Sequence, residues 1–385
     1  MTGLRYPLFL LACGGFVSGV SMRLAEPLLP KVAHDLGTGV AEASVLITAF
    51  TLAYGLFQLV HGPLGDRIGK LRAVSGALCL AALASAACAT ADTLGELALY
   101  RFLTGMTAGA VIPLSFAFVG DNVPFEDRQP VLGRFISGTL LGATFGPLVG
   151  GAFSDLLGWR ASFIAPAVAF ALIGLALAPL GLREAMPRAA GPGRGPLARY
   201  AGLLRSPSAR IICLAVTLEG FLFYGAFGYL GAFMRHDFAL SFTHIGLVLA
   251  GFGLGGLAYS MLVGTLVRRL GPRLMVINGA WLLLAAFAVL AATPVWQGVV
   301  PAVLVLGLAF YLLHNTLQTR ATEMAPAARG SAISAFAFCL FFGQALGVAG
   351  AGALVELAGY RLLFILAGLG LAALALWFAA RLRAL

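Results

Sequence analysis

The chain has 385 residues, of which 60% are apolar and only 10% are charged. No water-soluble fold of this length can hide so much apolar side chain, so the chain is read as an inner-membrane protein of many spans. The net charge of +10 is accounted for by where the basic residues fall, and it implies no nucleic-acid partner.

Apolar runs of about 20 residues, enough to cross the hydrocarbon core, recur from end to end. They predict spans at 6–30, 42–62, 73–91, 96–119, 131–154, 160–181, 208–233, 243–266, 274–293, 297–319, 331–356 and 360–380. The expectation is an all-α membrane protein with twelve transmembrane helices. Barrel strands are excluded because the runs are continuous rather than alternating. The first run is read as a span and not a removable signal, since it carries Arg23 and Glu26 and lacks a small-residue cleavage site. Nineteen of the 25 Lys and Arg lie at the two termini or in the loops after even-numbered spans. That side is expected to be cytoplasmic, with both termini inside.

In chain order, the first span holds Arg23 and Glu26 in its outer third. The second carries Tyr54, Gln58 and His61 on one face, read as gate hydrogen bonds. "HGPLGDRIGKLRAV" (61–74) follows, and in a chain so poor in charge it crowds Asp66, Arg67, Lys70 and Arg72 together. Gly62 and Gly69 permit a tight reversal and close helix approach. Asp66 can accept from an arginine or from helix N-terminal amides. Such a cluster can latch two halves of a molecule, or serve only as a topogenic loop.

The fourth span contains Arg101. A charge at bilayer depth costs roughly 2.5–3.5 kcal/mol on insertion scales and persists when it meets water, a partner or a ligand. Glu26 and Arg101 can form a structural ion pair or serve a cavity. In the fifth span Gly138, Gly142, Gly146 and Gly150 recur every four residues and share one helix face. Pro147 among them removes a backbone donor and is expected to bend the helix.

Gly191, Pro192, Gly193, Gly195 and Pro196 punctuate a polar stretch read as a linker. This divides the chain into residues 1–182, a cytoplasmic linker at 183–207, and 208–385. "LARYAGLLR" (197–205) suggests a short helix on the inner leaflet. In the seventh span Glu219 has no Lys or Arg nearby in sequence. Phe223 and Phe227 follow it at four-residue steps, giving an acid at the head of an aromatic stripe. A lipophilic or cationic compound suits that surface, with a protein core contact as the alternative. Tyr311, His314 and Gln318 share a face of the tenth span and are read as gate residues.

The two parts are related. Gly142, Gly146, Gly151, Asp155, Gly158, Trp159, Arg160 and Phe163 align without gaps to Gly343, Gly347, Gly352, Glu356, Gly359, Tyr360, Arg361 and Phe364, at a constant offset of 201. "GPLGDRIG" lies opposite "GTLVRRLG" (264–271). Within each copy the acid and the arginine are expected to clasp a tight turn. Two repeats about an axis along the membrane normal describe a transporter plan.

Against these residues the chain resembles the major facilitator superfamily. Gly62, Leu64, Asp66, Arg67, Gly69, Lys70 and Arg72 match its loop motif. "GATFGPLVGG", with Gly142, Gly146, Pro147, Gly150 and Gly151, looks like the fifth-helix motif of its twelve-helix proton-coupled antiporters. "LALYRFLTGMTAGA" resembles its fourth-helix motif, departing at Thr104, and "EPLLP" its first-helix ending. The resemblance implies two pseudo-symmetric six-helix bundles, with helices one, four, seven and ten lining a central cavity. Arg23, Glu26, Arg101 and Glu219 would then face that cavity.

"GFGLGG" (251–256) matches a dinucleotide pattern but sits inside an apolar span, so it is rejected. There is no P-loop, no metal-ligand spacing and no catalytic constellation. Cys13, Cys79, Cys88, Cys213 and Cys339 fall in apolar runs and are read as packing residues. The expected function is proton-coupled efflux of a small organic compound by alternating access, without enzyme activity, metal or cofactor. A proton-symport importer and a non-transporting receptor or scaffold are the alternatives. The expected partners are a small-molecule substrate, protons and the lipid bilayer, with the chain a monomer.

Overall fold

The structure is a computed structural model that describes residues 2–184, 200, 202–203, 205–325 and 329–382. Among the described residues regular structure is helical throughout and no strand occurs. In the first half the helices are α1 (Thr2–Arg23), α2 (Leu29–Asp35), α3 (Val40–Ala43), α4 (Val45–Ile68), α5 (Lys70–Cys88), α6 (Leu94–Ala108), α7 (Val111–Asn122), α8 (Phe125–Leu157) and α9 (Ala161–Arg183). The second half contributes α10 (Pro207–Glu219), α11 (Gly225–Phe227), α12 (Leu230–Phe238), α13 (Phe242–Ala292), α14 (Val299–Glu323) and α15 (Arg329–Arg381). The expected linker at 183–207 lies mostly outside the described residues, as does the surface helix at 197–205.

Among the described residues ten helical runs are long and apolar enough to cross a membrane. Two of them, Phe242–Ala292 and Gly330–Arg381, run for 51 and 52 residues. At 1.5 Å per residue that is more than twice the roughly 30 Å of a hydrocarbon core. Each is two helices meeting at a glycine with a non-helical backbone, Gly271 (φ 68°) and Gly359 (φ 78°). The repeat partners of these glycines, Gly69 (φ 96°) and Gly158 (φ 86°), reverse the chain in the first half in the same way. A positive φ disfavours any residue with a Cβ, which is why glycine stands at all four turns.

The first span differs from its expected run, 6–30. α1 stops at Arg23, a 3₁₀ turn spans Glu26–Leu28, and α2 follows to Asp35. Pro27 and Pro30 each sit where a new helix begins, the position at which a missing N–H does no harm.

The glycine stripes carry the internal repeat into three dimensions. A Cβ at Gly142 would strike the Phe16 carbonyl, and one at Gly343 would strike the Thr217 carbonyl. Gly146 meets Val20 as Gly347 meets Phe221, and Gly105 meets Phe50 as Gly307 meets Phe252. Both halves therefore bring the same helix pairs into backbone contact. Pro147 lies inside α8, which continues through it as one helix.

Two ends can be told apart by their arginines. Between the halves, α8 lies on α13 and α4 on α15. These contacts begin at the arginine-poor end, where a Cβ on Gly151 would collide with the Phe242 carbonyl and one on Gly246 with the Pro147 carbonyl. They continue to mid-depth, where the ring of Tyr54 meets that of Phe341 with centroids 4.7 Å apart.

Candidate functional site

The site is built around the seventh span. Glu219 closes α10 and is fully buried. His314 on α14 reaches it, with Nδ1 2.8 Å from Glu219 Oε2. The imidazole stacks on Phe310, centroids 4.9 Å apart and planes 13° apart, and leans on Phe336. Glu219 Oε1 has no hydrogen-bond partner among the described residues.

Immediately after Glu219 the helix widens into a π-turn, Gly220–Tyr224. One extra residue per turn brings residue 224, five positions on, over residue 219. Gly220 permits this by packing its backbone on the Leu340 carbonyl and the Gln344 amide. Phe223 turns into its own half, among Phe252, Phe287 and Phe310. The expected stripe is thus corrected: Phe223 packs a core, and the ring that continues the site from Glu219 is Tyr224. Phe227 stacks on Phe223 at 5.7 Å and touches Phe252.

Tyr224 carries the link to the first half. The Arg23 guanidinium lies 4.4 Å from its ring centroid, with Phe227 and Phe252 at 5.7 and 5.8 Å. Arg23 Nη1 donates to Glu26 Oε1 at 2.6 Å, and both side chains are buried. Glu26 Oε2 is unpartnered among the described residues. The Tyr224 ring also meets Phe310, centroids 5.4 Å apart, and Phe310 is the ring on which His314 stacks. A seam of buried polar groups therefore crosses between the halves, from Glu26 and Arg23 through Tyr224 to Glu219 and His314.

Other expected residues fall elsewhere. Among the described residues Arg101 pairs with no carboxylate, so of the two readings the structural ion pair with Glu26 is not formed. Its Nε donates to the Leu46 carbonyl at 3.0 Å and its Nη1 to that of Ser21 at 3.1 Å, beneath the Phe50 ring. Arg101 ties α6 to α4 and α1 inside the first half. Gln58 donates to the Gly109 carbonyl at 3.3 Å, an internal brace rather than a gate. His314, expected among the gate residues, belongs to Glu219 instead. Tyr311 stacks with Tyr259, and Gln318 is exposed.

The loop motif is drawn together within the first half. Lys70 sits between Asp66, 3.4 Å away, and Asp121. The amides that begin α5 are taken not by Asp66 but by Glu184, which accepts from the N–H of Lys70 at 3.0 Å and of Arg72 at 3.2 Å. The Arg72 guanidinium donates to the Ile68 carbonyl at 3.1 Å. Arg67 is exposed. No atom lies near the place a Gly62 side chain would take, so close approach does not require that glycine; Gly65, against Leu114, is the crowded one. Gly150 faces Leu24 as the stripe demands.

The acid–arginine turn pairs are also corrected. Arg160 donates to the Ala91 carbonyl at 2.8 Å, and Arg361 to the Ala291 carbonyl at 2.8 Å. Neither arginine holds the acid five residues before it. Among the described residues no cluster of His, Cys, Asp or Glu could hold a metal ion.

The family model described as the Major Facilitator Superfamily matches residues 11–230 and 212–384. The MFS-type transporter YceJ of Bacillus subtilis (strain 168) is 26% identical over 349 residues, covering 89% of this chain and 87% of that protein. The multidrug export protein EmrB of Haemophilus influenzae is 30% identical over 175 residues, covering 45% of this chain and 34% of that protein. A bacterial homologue of the human lysosomal transporter Spinster, solved inward-facing and occupied, superposes with a TM-score of 0.78 at 16% identity, covering 98% of this chain and 96% of that one. The chain belongs to the Major Facilitator Superfamily and is a multi-pass membrane transporter of small molecules, not an enzyme.

Proposed function

We propose that the protein is a proton-coupled exporter of lipophilic organic compounds, with Glu219 and His314 as its coupling pair. The observation that carries this reading is the buried carboxylate, bonded through one oxygen to an imidazole and free at the other. Carboxylate and imidazole can hold one proton between them. The free oxygen can take a second proton or a donor from a substrate, so the two compete for one group. An acid and an imidazole enclosed at membrane depth are costly unless they serve such an exchange. Rings of Phe310, Tyr224 and Phe336 wall the pair and suit an apolar, cationic compound.

The breaks at Gly271 and Gly359 divide the two longest runs, which supports a reading of twelve crossings in two six-helix bundles, 1–182 and 208–385, joined by 183–207. The basic loops favour an inner-membrane protein with both termini in the cytoplasm. The state described is then closed toward the periplasm, and rocking of the halves exposes the seam to either side. The export direction is supported by the fifth-helix motif and by the multidrug export protein among the relatives.

The test is ethidium flux in proteoliposomes with an imposed proton gradient. Glu219→Gln is expected to abolish gradient-driven accumulation while leaving exchange of labelled for unlabelled ethidium. His314→Phe, which keeps the stack on Phe310, is expected to shift the pH dependence of the driven flux. Driven flux in Glu219→Gln equal to that of the parent between pH 6 and 8, about the usual imidazole range, would remove this pair from the coupling step.

A further inference from the structure

Asp155 stands near the end of α8, at the rim of the arginine-poor end. Its carboxylate ignores Arg160 and crosses to the second half. Oδ1 accepts from the Phe242 N–H at 3.3 Å, and Oδ2 accepts from the Thr243 N–H and from Thr243 Oγ1, both at 2.7 Å. These amides open α13. A helix start leaves its first N–H groups without partners inside the helix and carries partial positive charge, so a carboxylate is held there by charge as well as by hydrogen bonds. Ser241 Oγ takes the His244 N–H at 3.3 Å, and Asp155 takes the two amides before it.

The internal repeat supplies a comparison within the molecule. Glu356 lies 201 positions after Asp155 and, in the same way, beside the start of a helix in the opposite half: its Oε1 is next to Gly39, which opens α3. There the helix start is already satisfied from within, because Glu42 Oε2 accepts from the Gly39 N–H at 3.1 Å. Among the described residues Glu356 makes no hydrogen bond. Of two equivalent acids, one is engaged across the halves and the other is idle.

We infer that Asp155 is the gating residue of the arginine-poor end. Its charge on the start of α13 keeps that end shut, and its release accompanies each opening. The surrounding contacts of Gly151 with Phe242 and of Gly246 with Pro147 are backbone packing and carry no charge. Asp155 acts at a distance from Glu219 and His314 and positions the halves without touching a substrate. The inference rests on alternation between two states and not on which residue carries the proton. Failure of the Glu219 experiment therefore leaves it standing.

The test is hydrogen–deuterium exchange on the full chain in lipid nanodiscs, comparing the parent with Asp155→Ala, Asp155→Asn and Asp155→Glu. In the Ala and Asn variants, exchange is expected to rise about tenfold or more. The rise should extend beyond 242–246 to the other places where the halves meet on that face: Glu26 and Pro27 against Gly231, and Ala41 against Gly352. Asp155→Glu keeps the charge and is expected to restore the parent pattern. A rise confined to 242–246 would make Asp155 a local helix cap and overturn the inference. So would an unchanged pattern, or an Asp155→Glu variant that behaves like Asp155→Ala. Where Asp155→Ala does not fold, Thr243→Val removes one of the three donors and is expected to move the same three regions by a smaller factor. A change limited to its own turn would count against the gate.

Discussion

Arg23 is held on its edge by Glu26 and on its face by Tyr224, and almost nothing of either charged side chain reaches solvent. Removing one member leaves the other buried and unpaired, which costs about 3–5 kcal/mol. Arg23→Ala is therefore expected to lower stability by that amount in denaturant titrations of the purified protein. The double variant Arg23→Met, Glu26→Gln should recover most of it, because no charge is then stranded. An Arg23→Ala protein as stable as the parent would show that water reaches Glu26. Some of this was legible in the residues themselves. Arg23 and Glu26 are three apart on one turn, and an acid at position 219 stands out in an apolar run. His314 was not legible as its partner, because 95 residues separate them and only the fold brings α14 to α10. Arg101 misled for a related reason: sequence shows a buried cation but not the two backbone carbonyls that accept from its Nε and Nη1.

Helix contacts in this molecule are set by where a side chain is missing. Gly142 and Gly343 each press a Cα against a carbonyl of the neighbouring span, and a methyl group on either would have to displace that backbone. Gly142→Ala and Gly343→Ala are each expected to cost about 1–3 kcal/mol, read as a lower unfolding midpoint. Gly62→Ala should do the opposite, gaining up to about 1 kcal/mol, since its site is open and alanine favours the helix. A destabilised Gly62→Ala would restore the packing role expected from the loop motif. The four-residue glycine period and the 201-residue offset made these contacts readable before any fold was known. The π-turn at Gly220–Tyr224 was not readable, because it is imposed by the approach of α15 and leaves no mark in the hydrophobic pattern. It is also why Tyr224, not Phe223, joins the site.

For the molecule as a whole, the two halves repeat the same glycine-to-backbone contacts and differ in the charges that they enclose. The first half encloses Arg23 with Glu26, a guanidinium and a carboxylate that cancel, and Arg101, whose charge is fixed. The second encloses Glu219 with His314, whose total changes by one when a proton is added. An electrical consequence follows. A membrane voltage does work of about 2.3 kcal/mol on each elementary charge moved through 100 mV, and only the second pair can present such a charge to it. Trading one proton for one monovalent cation moves no net charge, so ethidium efflux is expected to give no current on a solid-supported membrane and to ignore an imposed potential. A neutral substrate exchanged for the same proton should give a current that reverses with the proton gradient. A voltage-driven current with ethidium would mean that the exchange is not one proton for one cation, and would overturn this account of the pair.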